Sequence, residues 1–173
     1  MFQNLLIRLL GKLAFVVPGG ASLRPWLHRA RGAKIGKRVW IAQFVYIDEL
    51  HPENVTIGDN CTLGLRSSIF THFYWGPKRP TSSGKVVIEK DVFIGPHCVI
   101  LPNVRIGEGA VIKAGTVVSH RVPPHVVWGS PPASALGVAT VPLTAEHSYE
   151  EFTRGVRLPE PRSSPAASGS RSA

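Results

Sequence analysis

The stretch IEKDVFIGPHCVILPNVRIGEGAVIKAGTVV, residues 88–118, carries an aliphatic residue at every sixth position: Ile88, Ile94, Ile100, Ile106, Ile112 and Val118. With Ile, Leu and Val at about one position in four, six such hits in a row arise by chance with a probability of roughly 10⁻⁴ per register. A second series runs four residues behind the first, through Val92, Cys98, Val104, Ala110, Thr116 and Val122. A period of six is neither helical nor a simple alternation. It describes a short strand followed by a turn, so that three repeats close a triangular coil of 18 residues and coils stack at the ordinary interstrand distance of roughly 4.8 Å.

The same spacing extends upstream. Ile35, Ile41 and Ile47 are followed, after four extra residues, by Ile57, Leu63 and Ile69, and thirteen further extra residues lead to Ile88. Val39, Val45, Cys61 and Ser67 continue the offset series, and His51 and Phe73, beside the interruptions, break it. Twelve repeats predict four coils, at 35–52, 57–74, 88–105 and 106–123. Gly36, Gly58, Gly64, Gly95 and Gly107, each one residue after an aliphatic, are expected to supply permissive backbone at the turns. Cys61 and Cys98 fall in the inward small-residue slot and read as core thiols; two such cysteines make no disulfide framework and fit a reducing compartment.

Composition agrees. A chain of 173 residues builds one ordinary domain, and 18% charged residues with 17 Gly and 15 Pro exclude a charge-driven disordered chain and a helical bundle. The net charge of +9 is unevenly placed. Residues 1–34 hold six bases (Arg8, Lys12, Arg24, Arg29, Arg31, Lys34) and no acid, residues 35–142 ten bases and seven acids, and residues 143–173 four of each. The excess belongs to an N-terminal arm. Within it Phe2, Leu5, Leu6, Leu9, Leu10, Leu13 and Val17 have helical spacing up to Pro18-Gly19-Gly20, interrupted by Arg8 and Lys12 and too short to span a bilayer. Two uses fit a basic amphipathic helix: an anionic membrane surface, or packing on its own protein or a neighbouring subunit. Residues 134–173 form a C-terminal extension, with a short helix around TAEHSYEEF and a low-complexity tail, LPEPRSSPAASGSRSA, expected to be disordered.

The repeats, and above all VFIGPHCVILPNVRIGEGAVIKAGTVVSHRVPPHVVWGSPPA, resemble the hexapeptide-repeat acyltransferases, in the branch of maltose, galactoside and polysaccharide O-acetyltransferases. The resemblance covers about residues 30–133. It implies an all-β, left-handed parallel β-helix over 35–133, working as a homotrimer with sites between subunits. It also implies an acetyl-CoA-dependent O-acetyltransferase of a saccharide hydroxyl, on a cell-surface polysaccharide or its lipid-linked precursor, with no metal and no nucleic acid. A cytoplasmic protein, peripheral at the inner membrane face through residues 1–34, is the expected setting.

His72 lies three residues after Ile69, an odd offset that turns it out of the core, immediately before the long insertion. In the resembling family a histidine here is the general base, and an alcohol attacking a thioester needs one. Relatives often carry a carboxylate directly after it, where this chain has Phe73; Asp48 and Glu49, one coil earlier, are the candidates to orient the ring. Gln43, Asp48, Tyr74 and Trp75 are the candidate acceptor-binding residues. By resemblance, acetyl-CoA would run along the last coils past Phe93, Pro96, Lys113, Ala114, Ser119 and Arg121. Three rival readings share the fold or the composition. N-acetylation of an amino sugar needs the same base. A non-catalytic scaffold would keep only the coil. A γ-type carbonic anhydrase needs a histidine five residues after His97, where Pro102 stands.

Overall fold

The computed structural model describes residues 2–72, 84–131, 138–142, 144 and 146–157, with side chains from Leu5 onward. Two compact units divide at Ser130. The first begins with two helices, α1 (Phe2–Val16) and α2 (Leu23–Ala30). Thirteen short strands follow: β1 (Lys34–Ile35), β2 (Trp40–Ile41), β3 (Tyr46–Ile47), β4 (Val55–Ile57), β5 (Thr62–Leu63), β6 (Ser68–Ile69), β7 (Val86–Ile88), β8 (Phe93–Ile94), β9 (Val99–Ile100), β10 (Arg105–Ile106), β11 (Val111–Ile112), β12 (Val117–Val118) and β13 (Val127–Trp128). They stack as three parallel sheets, β1-β4-β7-β10, β2-β5-β8-β11-β13 and β3-β6-β9-β12, the faces of a left-handed β-helix. In the second unit β14 (Val138–Ala139) pairs antiparallel with β15 (Val156–Arg157), and Ser148 with Glu151 forms a capping box on α3 (Tyr149–Arg154). The tail beyond residue 157 lies outside the described residues.

The register is the one the period dictates. Ile35 pairs with Ile57 and Ile57 with Ile88, Ile41 with Leu63, and Ile47 with Ile69. The aliphatic rows and the offset row Val39, Val45, Cys61, Ser67, Val92, Cys98, Val104, Ala110, Thr116 and Val122 are all buried, so side chains fill the prism. Val55 and Val86 take the offset slot that His51 and Phe73 left empty in the sequence pattern. The chain also continues past the four expected coils. Val122 bridges to Ile106 and Trp128 pairs with Ile112, opening a fifth coil after a corner two residues shorter than the rest.

The turn chemistry differs from expectation. Positive φ falls three residues after the inward aliphatic, at Arg38, Phe44, Asn60, Arg66, Asp91, His97 and Asn103, with values between 52° and 66°. The glycines one residue after the aliphatic have another reason to be glycine. A Cβ on Gly64 would sit 2.5 Å from the carbonyl carbon of Gly95, and one on Gly95 would sit 2.6 Å from the Ala114 nitrogen. Close coil-on-coil approach, not left-handed backbone, excludes a side chain there.

The arm folds onto the open end of the first coil. The carbonyls of Ile35, Ile41 and Ile47 face away from the second coil, and an arginine of the arm meets each. Arg29 Nε donates to Ile35 O at 2.9 Å, Arg24 donates to Ile41 O, and Arg31 donates to Ile47 O at 3.0 Å and to Asp48 O. Main-chain bonds run the other way, from Ile41 N to Gly20 O and from Phe44 N to Phe15 O, each 2.9 Å. Arg24 and Arg31 are buried. Packing on its own protein is thus one use of the arm, and three of its six bases cap strand edges that would otherwise pair with another chain.

His28 is buried beside Arg31, with its Nδ1 3.5 Å from the guanidinium, and burial followed by that charge pushes the imidazole down to about 3. Two predictions follow from this end cap. Arg31→Ala strands two buried carbonyls, at about 1–3 kcal/mol each, and should lower the urea-unfolding free energy by a few kcal/mol; the exposed Arg29→Ala should cost clearly less. The unfolded chain protonates His28 near pH 6.5 and the folded chain only near 3. The unfolded state therefore binds more protons in that window, and stability should fall as pH drops from about 6.5 towards 3. His28→Gln should flatten that slope between pH 7 and 5.

Candidate functional site

The parallel pairing of Ile47 with Ile69 sets the residues after β3 beside those after β6. Asp48 is fully buried there, and its Oδ2 lies 2.6 Å from His72 Nδ1. The rest of the carboxylate is held by main chain: Thr71 N donates to Oδ2 at 2.8 Å, and Leu50 N and His51 N donate to Oδ1 at 2.9 and 3.1 Å. Burial pushes this carboxyl up, but the hydrogen bonds from Thr71, His51 and Leu50 outweigh it and hold it below the usual carboxylate range. An ionised carboxylate only accepts, so the 2.6 Å contact places a proton on His72 Nδ1, and in the neutral ring the lone pair is then on Nε2.

His72 itself is one-fifth exposed. His51 stands beside it, ring centroids 6.2 Å apart and nearly perpendicular, and its Nδ1 lies 3.1 Å from Glu53 Oε1. Thr71 is buried and donates its hydroxyl to His51 O at 3.2 Å, tying the two segments together. Gly84 closes the far side of the insertion: its φ is +120°, and a Cβ there would lie 1.9 Å from Thr71 O.

The orienting group is Asp48, not Glu49, which lines a separate cleft with Lys12 and Tyr46. Asp48, expected among the acceptor-binding residues, has its side chain fully buried against His72. Gln43 is exposed on the corner after the second sheet, whereas His72 is on the corner after the third, so one chain does not bring them together. Tyr74 and Trp75, with Phe73, lie outside the described residues. His51, Glu53 and Thr71 were missed by sequence reasoning. The signal was the coil register itself, which the four-residue insertion, containing a 3₁₀ turn at Pro52–Asn54, obscured.

Downstream, Phe93, Pro96, Lys113, Ala114, Ser119 and Arg121 are all exposed. Pro96 and Ala114 share one corner, where Gly115 N donates to Pro96 O at 2.9 Å, and Phe93 opens β8, the strand that leads into it. Lys113 Nζ reaches Ser130 O at 3.2 Å. Ser119 and Arg121 stand on the next corner, the one that also carries His72 two coils earlier; Ser119 Oγ and His120 Nδ1 are 2.8 Å apart. His97 occupies an ordinary positive-φ corner. Among the described residues, three or more His, Cys, Asp or Glu side chains nowhere gather as a metal site.

Residues 85–120 match the family described as bacterial transferase hexapeptide (six repeats), and residues 54–71 match the hexapeptide repeat of succinyl-transferase. The chain is 37% identical over 112 residues to the Bacillus subtilis (strain 168) protein named "Putative acetyltransferase YvoF", covering 64% of each chain. It is 42% identical over 65 residues to a 2,3,4,5-tetrahydropyridine-2,6-dicarboxylate N-acetyltransferase of Staphylococcus aureus, covering 38% of this chain and 27% of that enzyme. The chain thus spans less than two thirds of the length of these curated relatives. Among solved structures, it is similar in fold to the hexapeptide-repeat acetyltransferase VCA0836 of Vibrio cholerae, complexed with acetyl coenzyme A, with a TM-score of 0.56 and 21% identity over 77% of this chain and 85% of that one.

Asp48→Asn tests how the His72 ring is held. The amide turns one acceptor into a donor that must face either an N–H or the His72 Nδ1 proton, which should cost about 2 kcal/mol of stability. By NMR the imidazole should lose its Nδ1–H tautomer preference. An unchanged His72 spectrum would show that the carboxylate does not set the ring.

Proposed function

We propose that this chain, which belongs to the hexapeptide-repeat transferases, is an acetyl-CoA-dependent O-acetyltransferase of a saccharide hydroxyl with His72 as its general base. The observation that carries the reading is the Asp48–His72 contact of 2.6 Å, because it aims a ring that is one-fifth exposed and turns its Nε2 to the side away from the carboxylate. The acceptor oxygen attacks the thioester carbonyl carbon as its proton passes to His72 Nε2. The C–S bond then breaks, and the thiolate takes the proton back, giving an acetyl ester and free coenzyme A. Asp48 stabilises the imidazolium between the two transfers without taking its proton.

The donor would lie along the exposed corners at Pro96, Ala114 and Ser119, with Lys113 and Arg121 as cations for its phosphates. Its acetyl end would reach His72 along the corner that Arg121 and His72 share. Self-association as a trimer is supported by the outward row of the second sheet. Phe93, Val111 and Val127 are 46%, 37% and 72% exposed on the neighbouring strands β8, β11 and β13, an apolar ladder that a second copy would cover, with Trp40 beyond the intervening Thr62 of β5. N-acetylation of an amine is a second reading, favoured by the similarity to the S. aureus enzyme over 65 residues.

Thiol release from acetyl-CoA across a panel of sugars and amino sugars separates the two. His72→Ala should lower kcat by roughly 10²–10⁴-fold while acetyl-CoA still binds, as measured by calorimetry. Turnover unaffected by the change would remove His72 from the reaction.

A further inference from the structure

We propose that α1 docks this protein onto an anionic bilayer surface, lying along the lipid–water boundary with Leu5, Leu6, Leu9, Leu13 and Val16 turned to the lipid. The helix carries one wide apolar arc, half of it covered. At 100° per residue, Ile7, Leu10, Gly11 and Ala14 form the half that faces the protein, and each of them is buried or half-buried. The adjoining half is exposed: Leu5 is 65% exposed, Leu6 55%, Leu9 52%, Leu13 41% and Val16 51%. A surface helix that only packs on its own domain needs only the covered half of such an arc. The exposed half is left uncovered by the fold, and the arm cannot turn it inward, because Arg24, Arg29 and Arg31 hold the helical pair to the first coil.

Charge selects the occupant. Arg8 and Lys12 are exposed at the border of the leucine face, and no acid occurs before Asp48. Of the eight bases in that acid-free stretch only Arg24 and Arg31 are buried as caps; Arg8, Lys12, Arg29, Lys34, Lys37 and Arg38 are exposed. A two-fold contact with a second copy would set this basic surface against itself, whereas an anionic lipid surface complements it. Length agrees with lying flat. Among the described residues no helix is long and apolar enough to cross a membrane, and fifteen residues of α1 reach only about 22 Å. The cleft of about 280 Å³ between α1 and β3, lined by Phe15, Val16, Val45 and Ile47 and also by Lys12, Arg31 and Glu49, shares Val16 with the exposed leucines. The proposal is independent of the reaction assigned to His72.

The test is co-sedimentation of the full chain with vesicles of phosphatidylglycerol mixed into phosphatidylcholine, against phosphatidylcholine alone, with subunit number measured in parallel. The protein should partition to the mixed vesicles, and binding should weaken roughly tenfold without the anionic lipid or in high salt. The double change Leu9→Glu with Leu13→Glu should abolish retention while the thermal melt is kept, since both positions are exposed. Arg8→Gln with Lys12→Gln should weaken retention and reduce its salt dependence. Failure of the unaltered chain to bind mixed vesicles overturns the proposal, as does equal binding to both vesicle types or full binding by the leucine variant. A fall in subunit number in the leucine variant, with vesicle binding unchanged, assigns the face to a second copy.

Discussion

Ile47 over Ile69 in parallel register is the constraint from which the candidate site follows. Neither residue does chemistry. Their pairing places Asp48 one step past the strand on one coil and Thr71 and His72 just past the strand on the next, 23 and 24 residues away in sequence. The buried carboxylate is then satisfied by three main-chain N–H groups before it meets the imidazole. Such a carboxylate is poorly mobile. It can aim a ring, where a surface acid held by one long side chain could not.

The open end of a β-helix poses the opposite problem. Each coil is paired by its neighbours, and the first coil has none on one side, so three strands present bare carbonyls. The chain meets them with guanidinium groups, whose forked donors reach two carbonyl oxygens at once, as Arg31 does with Ile47 and Asp48. This changes what the basic arm means. Counted from the sequence, six bases without an acid describe one positive surface; in the fold, half of them are structural donors to main chain. Bonds from side chain to backbone carbonyl leave no periodic trace, so sequence reading could not divide the charge.

What was legible was whatever repeats. The aliphatic rows, the offset small residues, the three-sheet register and the outward direction of His72 all follow from the spacing of six. Glycines were legible as positions but not as causes: Gly64 and Gly95 read as turn formers and are in fact points of contact between coils. The fifth coil was hidden by two missing residues, although His125, three after Val122, carries the same positive φ as the regular corners. The helix α2 was missed because its apolar face is short and its basic residues read as surface.

The interruptions argue where function has to be. The prism is filled by side chains that are almost wholly buried, so no ligand enters it and chemistry is confined to faces and corners. Regular corners are constrained, because each takes a positive φ and those with Gly36, Gly58, Gly64, Gly95 and Gly107 add a backbone contact too close for a Cβ. Both insertions in the chain, four residues after Ile47 and thirteen after Ile69, fall at the same corner, the one that follows the third sheet. There neither Leu50 nor His72 adopts the positive φ of the equivalent positions, and side chains are released from the repeat. Asp48, His51, Thr71 and His72 are gathered at that one place, with Arg31 of the arm capping it on one side and the regular coils continuing on the other.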